Sequence, residues 1–239
     1  MLNKIQLEDI LFLDIETVPE EADFNVLSEE KKMLYDSKTK YQRTEGILAA
    51  DFYHNAGIWA EFGKIICISV GFFTLKNENK SFRVRSFFGE EQKILQDFSA
   101  LLNQFFSQPQ HLLCGHNVKE FDFPYMIRRM IIHGMPVPNK LQLFGRKPWE
   151  VPHLDTLELW KFGDYKHFTS LKLLTNILKI ASPKDDIEGS DVAHTYYVEN
   201  DLQRIVRYCE KDTIAIAQIL LRVRGEELLR DDEIIIVLP

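Results

Sequence analysis

The chain has 239 residues, with 29 Lys and Arg against 36 Asp and Glu, which gives a formal net charge of −7. This acidic balance excludes a polyanion binder that depends on a global positive field, but not contact with nucleic acid at one local site. Hydrophobic residues make up 45% of the chain, which is typical of a packed globular protein and excludes a disordered one.

The apolar pattern predicts strands first and then alternating helices and strands. Strands are predicted at Ile10–Ile15, Lys64–Phe73, Ser81–Phe88 and Leu112–Cys114. Helices are predicted at Glu90–Phe106, Asp122–His133, Thr169–Ile180 and Asn200–Val223. The second and third strands form a hairpin through a turn at 76–80, and residues 20–62 are expected to be a helical and loop insertion. The whole pattern indicates an α/β fold with a mixed central β-sheet flanked by α-helices.

The three cysteines, Cys67, Cys114 and Cys209, are odd in number and form no C-x-x-C pair. This pattern gives no disulfide framework and no zinc motif, and it favours a reducing, cytoplasmic compartment. The longest apolar run, Ile65–Phe73, falls well short of the roughly 20 residues needed to span a bilayer, so we expect no membrane partner.

Two acidic residues, Asp14 and Glu16, lie at the end of the first predicted strand. Side chains at positions i and i+2 of a strand point to the same face, so both carboxylates leave the sheet together. Burying two acids is costly unless a cation meets them. The pair alone is nevertheless a weak sign of a metal site.

Two further acidic residues belong to later predicted helices, one at the start of a helix and one on the face of another. Asp122 enters the first turn of a predicted helix, where the alternative role is helix capping. Tyr208 and Asp212 are four residues apart and therefore share one helix face, beside an apolar stripe that includes Cys209. The alternative for Asp212 is a surface position beside Lys211.

Three sequence pieces occur in a fixed order along the chain: FLDIET at 12–17, GHNVKEFDFPY at 115–125 and YCEKD at 208–212. With them the chain resembles the DEDD 3′–5′ exonucleases of the ribonuclease H-like superfamily. It is most similar to their tyrosine-containing DEDDy branch, and in particular to the proofreading exonuclease domain of family B DNA polymerases. The DEDDh branch carries His five residues before the last Asp, where this chain has Arg207.

The resemblance implies a ribonuclease H-like fold and a site that binds two divalent metal ions. The residues that it implies as metal ligands are Asp14, Glu16, Asp122 and Asp212. Tyr208 is implied as the residue that positions the attacking water, because a tyrosine with a pKa of about 10 is a poor general base near neutral pH. Mg²⁺ and Mn²⁺ prefer oxygen ligands, so we expect either of them rather than zinc at an all-carboxylate site.

The resemblance also implies substrate contacts close to the motifs. Thr17 and Val18 are expected to contact the terminal nucleotide through backbone and side chain. Asn117 is expected near the substrate backbone or beside Asp14, with a turn former as the alternative. Phe121 is expected to wedge against a terminal base, and its alternative is a core position.

The segment 128–147 contains basic residues and no acid, and it directly follows the second motif. Its basic residues are Arg128, Arg129, Lys140, Arg146 and Lys147. We expect it to contact strand phosphates, tested best at Arg128, Arg146 and Lys147, with a surface cluster as the alternative. Asp155 is interpreted as a helix N-cap rather than a fifth carboxylate of the site.

We therefore expect residues 1–239 to form one stand-alone domain that shortens single-stranded nucleic acid from its 3′ end and releases nucleoside 5′-monophosphates. DNA is the first expected substrate, and a DNA polymerase or repair protein is a possible partner in trans. The alternatives are trimming of RNA 3′ ends, as in ribonuclease D, and a non-catalytic single-strand binding module of the same fold.

Overall fold

A mixed β-sheet forms the centre of the computed structural model, which describes residues 2–76, 79–164, 166–180 and 187–237. Within these ranges the strands are β1 (Ile10–Pro19), β2 (Gly63–Lys76), β3 (Asn79–Phe88), β4 (Leu112–Gly115), β5 (Leu154–Asp155) and β6 (Ile234–Ile236). Their order in the sheet is β5-β4-β1-β2-β3-β6. β1 pairs antiparallel with β2 and parallel with β4, which confirms the predicted α/β class and mixed sheet.

The four predicted strands and the hairpin are confirmed, since β2 and β3 pair antiparallel along their length. Residues 77 and 78 of the predicted turn lie outside the described residues. β5 and β6 were not predicted, because two and three residues are too few to show a period in the sequence.

The helices pack around this sheet. Their bounds are α1 (Glu29–Thr39), α2 (Ala49–Phe52), α3 (Glu91–Phe105), α4 (Asp122–Ile132), α5 (Thr156–Lys161), α6 (Leu171–Ile177), α7 (Val192–His194) and α8 (Leu202–Arg224). The four predicted helices correspond to α3, α4, α6 and α8. α6 is shorter than predicted, because Ser170 caps its start and Lys179, with φ of 54°, takes a left-handed conformation beyond its end. In the described part of the chain, no helix has the length and apolarity needed to cross a bilayer.

The two faces of β1 belong to different parts of the core. Leu11, Leu13 and Ile15 are buried in the cluster that α3 and α4 cover. Ile10 and Phe12 are buried on the other face, in the cluster that includes α8. Since side chains alternate along a strand, Asp14 and Glu16 continue the α8 face. The apolar alternation of β1 therefore decides to which side its two acids point.

The segment 20–62 contains α1 and α2 and carries a small aromatic core of its own. Tyr35 lies at its centre, with ring centroids 5.2 Å from Tyr53 and 5.1 Å from Phe62. The Tyr35 hydroxyl donates a hydrogen bond to the carbonyl of Phe52 at 2.9 Å. Gly57 lies against the backbone of Val18, where a Cβ would come within 3.0 Å of the Val18 carbonyl carbon. This close approach seats the segment on the end of β1.

A buried ion pair fixes α4 to the start of α3. Arg129 donates from Nε and Nη2 to Glu91 at 2.8 and 2.5 Å, and from Nη1 to the carbonyl of Ala60 at 2.8 Å. Burial alone would raise the pKa of Glu91, but hydrogen bonds from Arg129, His133 and the Ile65 N–H hold it below its usual value. The inclusion of Arg129 in a phosphate-binding surface was therefore wrong, because its guanidinium is buried and paired.

Candidate active site

The first two acids of the site come from the sheet. Asp14 and Glu16 lie near the end of β1, and the pairing of β1 with β2 shifts its register directly after Glu16. Such an irregularity bends a strand and changes the direction of its side chains. Glu16 is 8% exposed, and Asp14 is half-buried. Both carboxylates are thus presented at the sheet end with little solvent around them.

The third acid comes from the start of α4. Asp122 is the first residue of this helix and is 4% exposed, while Phe121 occupies the N-cap position without a side-chain cap bond. The capping role considered for Asp122 is therefore not what the structure shows. Burial, and then the charge of Asp155, raises the pKa of Asp122 to about 7, although the backbone N–H groups of Asp122 and Ile15 oppose the rise by hydrogen bonding.

The fourth acid and the tyrosine come from α8. Burial first, and then the charge of Asp212, raises the pKa of both Asp14 and Glu16 well above the usual value. The Tyr208 hydroxyl hydrogen-bonds to Asp212, and burial followed by the charges of Asp212, Glu16 and Asp14 raises its pKa far above the usual value. Tyr208 is therefore a hydrogen-bond donor at any physiological pH.

The five residues that the motifs predicted come from three separate elements and lie close enough for the charges of the acids to act on one another and on Tyr208. The charges of Asp212 and Asp122 raise the pKa of both Asp14 and Glu16, and burial makes the repulsion stronger. Such a group of acids is stable in its charged form when cations lie among them. Carboxylate oxygens are the ligands that Mg²⁺ and Mn²⁺ prefer, so the donor set fits these ions.

Cys209 also lies at this site, and the sequence analysis placed it only in an apolar stripe. Its Sγ atom is 3.4 Å from the Asp14 carbonyl oxygen and 3.5 Å from Asp14 Oδ2. Ligand atoms of Asp14, Glu16 and Cys209 all lie within 4.8 Å of one another. The expectation of an all-carboxylate site therefore needs correction. The sequence places Cys209 three residues before Asp212 and so on the same helix face, but it does not show that Asp14 lies against that face.

The loop before α4 is held by Asp155. Asn117 takes a left-handed conformation with φ of 60°, and its N–H donates to Asp155 Oδ1 at 2.9 Å. The N–H of Lys119 donates to the second oxygen of Asp155 at 3.2 Å. The same carboxylate caps α5 by accepting from the N–H of Leu157 at 2.9 Å, which confirms the N-cap interpretation. Asp155 thus organises the loop, and the charge it holds acts on Asp122.

The remaining predicted contacts near the motifs have unequal access to a ligand. Val18 is fully buried, backbone as well as side chain, so its expected contact with a nucleotide is wrong. Thr17 is half-buried. Phe121 is half-buried and packs against the core, with its ring centroid 5.5 Å from that of Tyr125.

The basic residues Arg128, Arg146 and Lys147 are exposed. Arg146 donates to the carbonyl of Glu150 at 3.2 Å, and the Lys147 ammonium lies 5.1 Å from the centroid of the Trp149 ring. None of the three is among the charges that shift the pKa of Asp14, Glu16 or Asp122. The structure does not bring them into the carboxylate cluster, and their contact with a strand stays a prediction.

A family model described as RNase H superfamily (RNase_H_2) matches residues 55–223. The chain belongs to the ribonuclease H superfamily. The matched segment contains Asp122, Tyr208 and Asp212, whereas Asp14 and Glu16 precede it. Membership of the ribonuclease H superfamily indicates a nuclease, and nucleases of this kind use divalent metal ions.

This ribonuclease H-like fold is also found in a solved structure. The family B DNA polymerase from the hyperthermophilic archaeon Pyrobaculum calidifontis matches with a TM-score of 0.51 and 15% sequence identity. The match covers 89% of this chain and 24% of the polymerase, so the chain spans about a quarter of that protein. At this identity the match shows the shared fold. The comparison with curated proteins gives no match.

Proposed function

We propose that the chain is a metal-dependent 3′–5′ exonuclease that hydrolyses phosphodiester bonds at the 3′ end of single-stranded nucleic acid, with DNA as the first substrate. The observation that carries the proposal is the convergence of Asp14, Glu16, Asp122 and Asp212 beside Tyr208. The three ordered motifs and the superfamily membership support the same reaction class.

The four carboxylates are proposed to hold two divalent ions, Mg²⁺ or Mn²⁺. Such a pair supplies an activated water and stabilises negative charge on the phosphate and on the leaving oxygen. The secondary-structure elements that carry the ligand residues hold them in position. Asp14 and Glu16 project from a paired central strand, and Asp122 is the first residue of α4. Rigid supports of this kind keep the ligands in place while substrate binds and leaves.

Tyr208 is proposed to orient the attacking water or a phosphate oxygen through its hydroxyl. Its raised pKa keeps the proton on the oxygen, so it acts as a donor and not as a base. Its bond to Asp212 fixes the direction of the ring. A donor held in advance stabilises developing charge without reorganisation during the reaction.

The substrate path is proposed to run over the loop before α4. Asn117, Phe121 and Thr17 are proposed to bind the terminal nucleotides. Farther along the strand, the exposed cations Arg128, Arg146 and Lys147 are proposed to bind phosphates. These three basic side chains lie outside the carboxylate cluster. Such an arrangement suits a strand of which only the 3′ end enters the active site.

The biological setting belongs to the proposal as well. We propose residues 1–239 as one exonuclease domain that cooperates in trans with a DNA polymerase or a repair protein. The three buried free thiols support a reducing, cytoplasmic compartment.

Single strands labelled at the 5′ end test the proposed reaction. DNA and RNA are incubated separately with Mg²⁺ or Mn²⁺ and with wild type, Asp14→Ala or Asp212→Ala. Asp51→Ala, which removes an exposed acid in α2, serves as the matched control. A ladder that shortens from the 3′ end with wild type and Asp51→Ala, but with neither site variant, supports the proposal.

Other outcomes contradict specific parts of it. Immediate release of the labelled mononucleotide would indicate the opposite polarity. Trimming of RNA without trimming of DNA would favour the ribonuclease D-like alternative. Strands that stay intact but bind the protein would favour the non-catalytic binding module.

A further inference from the structure

We propose that Cys209, together with Asp14 and Glu16, forms a mixed thiol–carboxylate site for a thiophilic divalent cation such as Zn²⁺ or Cd²⁺. Such a cation would occupy ligands that the exonuclease reaction requires and would therefore inhibit it. The site coincides with that of the proposed exonuclease, and the inference rests on the proposed function only for this inhibitory consequence.

The distances suit one tetrahedral ion. Zinc bonds of about 2.3 Å to sulfur and 2.0–2.2 Å to oxygen place neighbouring ligand atoms roughly 3.4–3.6 Å apart. Cys209 Sγ lies 3.5 Å from Asp14 Oδ2, which is such a separation. The ligand atoms of all three residues lie within 4.8 Å of one another, so one ion can lie among them.

The packing holds the sulfur in this position. Cys209 is fully buried on α8 and packs with Val206 and Cys67. The Cys67 Sγ atom in turn lies 3.7 Å from Ser69 Oγ. Asp14 is only partly buried, which leaves an approach from solvent to the three ligand atoms. The thiol is thus fixed at the inner wall of the site, and the carboxylate of Asp14 is at its entrance.

The sulfur and oxygen ligand atoms of this site favour different cations. When a cation binds, the Cys209 S–H bond is replaced by a sulfur–metal bond and the proton passes to solvent. Thiolate favours zinc and other soft ions, whereas Mg²⁺ and Mn²⁺ are bound through oxygen. Zinc also stands above manganese in the general order of affinity. Mg²⁺ therefore gains little from Cys209, and Zn²⁺ or Cd²⁺ gains a ligand.

The test uses Cd²⁺ as the probe, because sulfur–cadmium bonds absorb in the ultraviolet and zinc bonds do not give a comparable signal. The metal-free, reduced full chain is titrated with Cd²⁺ and the charge-transfer band is recorded. We expect the band with wild type and its loss in Cys209→Ser, with Cd²⁺ affinity at least about tenfold weaker. Cys114→Ser is the matched control, since Cys114 is equally buried but does not belong to this group.

Two further variants assign the ligands. Cys67→Ser should keep the band, and Asp14→Asn should keep it with weaker Cd²⁺ affinity. A band that survives Cys209→Ser, disappears in Cys67→Ser, or is absent from wild type overturns the inference. Circular dichroism of each variant shows whether it folds, and Cys209→Ala replaces Cys209→Ser if the serine hydroxyl is not accommodated.

Nuclease assays on the same samples keep the two proposals separate. A Cys209-dependent band in a protein that cleaves neither DNA nor RNA with Mg²⁺ would support this inference and contradict the exonuclease. Cleavage with Mg²⁺ by a protein that gives no band would do the reverse. Where both hold, we expect Zn²⁺ to inhibit wild type at a concentration at least about tenfold lower than it inhibits Cys209→Ser.

Discussion

The Asp155 carboxylate accepts the backbone N–H of Asn117 at 2.9 Å, and this bond joins the start of α5 to the loop before α4. One side chain thereby caps a helix and fixes a loop in a left-handed conformation at Asn117. The loop leads directly to Phe121 and Asp122. The geometry of the site thus depends on a residue that is not one of its ligands.

Asp155→Ala is expected to lower both stability and activity. Loss of the cap alone costs about 0.5–2 kcal/mol, and the loop loses two more hydrogen bonds. We expect the rate of strand cleavage to fall at least about tenfold, because misplacement of a supporting group has effects of this size. Ser28→Ala removes the cap of α1, far along the chain, and should lower stability without changing the rate. Equal rates in both variants would contradict the positioning role.

Arg129→Met is expected to destabilise the protein by about 3–5 kcal/mol, since it leaves the Glu91 carboxylate buried without its main partner. Lys93→Met is the matched control, because Lys93 forms an exposed pair with Asp97 within α3 and should cost at most about 1 kcal/mol. Urea unfolding at neutral pH measures both. If both variants lose a similar free energy of unfolding, the buried Glu91–Arg129 pair contributes no more to stability than an exposed pair.

Asp122→Asn is expected to stabilise the metal-free protein at pH 8. The pKa of Asp122 is about 7 in the folded state against an ordinary value of 3.8. Because the folded value is the higher one, the folded state retains a proton that the unfolded state loses, and stability falls as pH rises from about 4 to about 7. The variant lacks this loss. We expect its Tm at pH 8 to exceed that of wild type by at least about 2–4 °C, which corresponds to ~1 kcal/mol.

Near pH 4 the difference between Asp122→Asn and wild type should nearly vanish. Glu120→Gln removes an exposed acid two residues earlier and controls for the change in net charge. If Asp122→Asn is no more stable than wild type at pH 8, the ionised Asp122 carboxylate does not destabilise the folded protein. The same variant should be inactive in strand cleavage, because it has lost a proposed metal ligand.

Tyr208→Phe is expected to lower the cleavage rate by about 10²-fold, which is a typical effect of removing one preorganised hydrogen-bond donor. Metal affinity should stay within a factor of a few, because the hydroxyl is not a proposed ligand. Tyr41→Phe changes a tyrosine that is 92% exposed and should have no effect. Isothermal titration with Mn²⁺ and single-turnover cleavage separate the two quantities. An unchanged rate would remove Tyr208 from the mechanism.

The combined substitution of Arg128, Arg146 and Lys147 by Ala is expected to weaken strand binding and to make it less dependent on salt. Each lost phosphate contact on a single strand reduces the slope of log affinity against log salt by about 0.7, so three contacts reduce it by about 2. Binding is measured in an Asp14→Ala background, where the strand is not consumed. Replacement of Lys4, Lys93 and Lys172 by Ala makes the same change in net charge elsewhere. If the two triple variants have equal slopes, Arg128, Arg146 and Lys147 do not bind strand phosphates.

Most of the fold was predictable, because apolar residues recur at the spacing of a helix or a strand or form short continuous runs. β1, the hairpin, α3 and α8 were all found because apolar positions recur there at the spacing of their element. The acids of the site were predictable for a related reason, since Asp14 and Glu16 interrupt an apolar strand. Their approach to Asp212 could be inferred only through the resemblance of the ordered motifs to a known family.

The features that the sequence did not reveal depend on partners far away in the chain. Arg129 looks like part of a basic surface until Glu91, 38 residues earlier, is seen to pair with it. Cys209 has the pattern of a core residue, because a thiol packs like a small apolar side chain. Its contact with Asp14 depends on how α8 crosses β1, and periodicity carries no information on that crossing.

Asp14 and Cys209 touch although 195 positions separate them along the chain. Closing so long a loop opposes their contact until the intervening strands and helices have formed. A chain still being synthesised holds Asp14 and Glu16 but lacks α8 until residue 224 has been added. On the proposed function, an unfinished or partly folded molecule therefore has no complete site and cannot degrade nucleic acid.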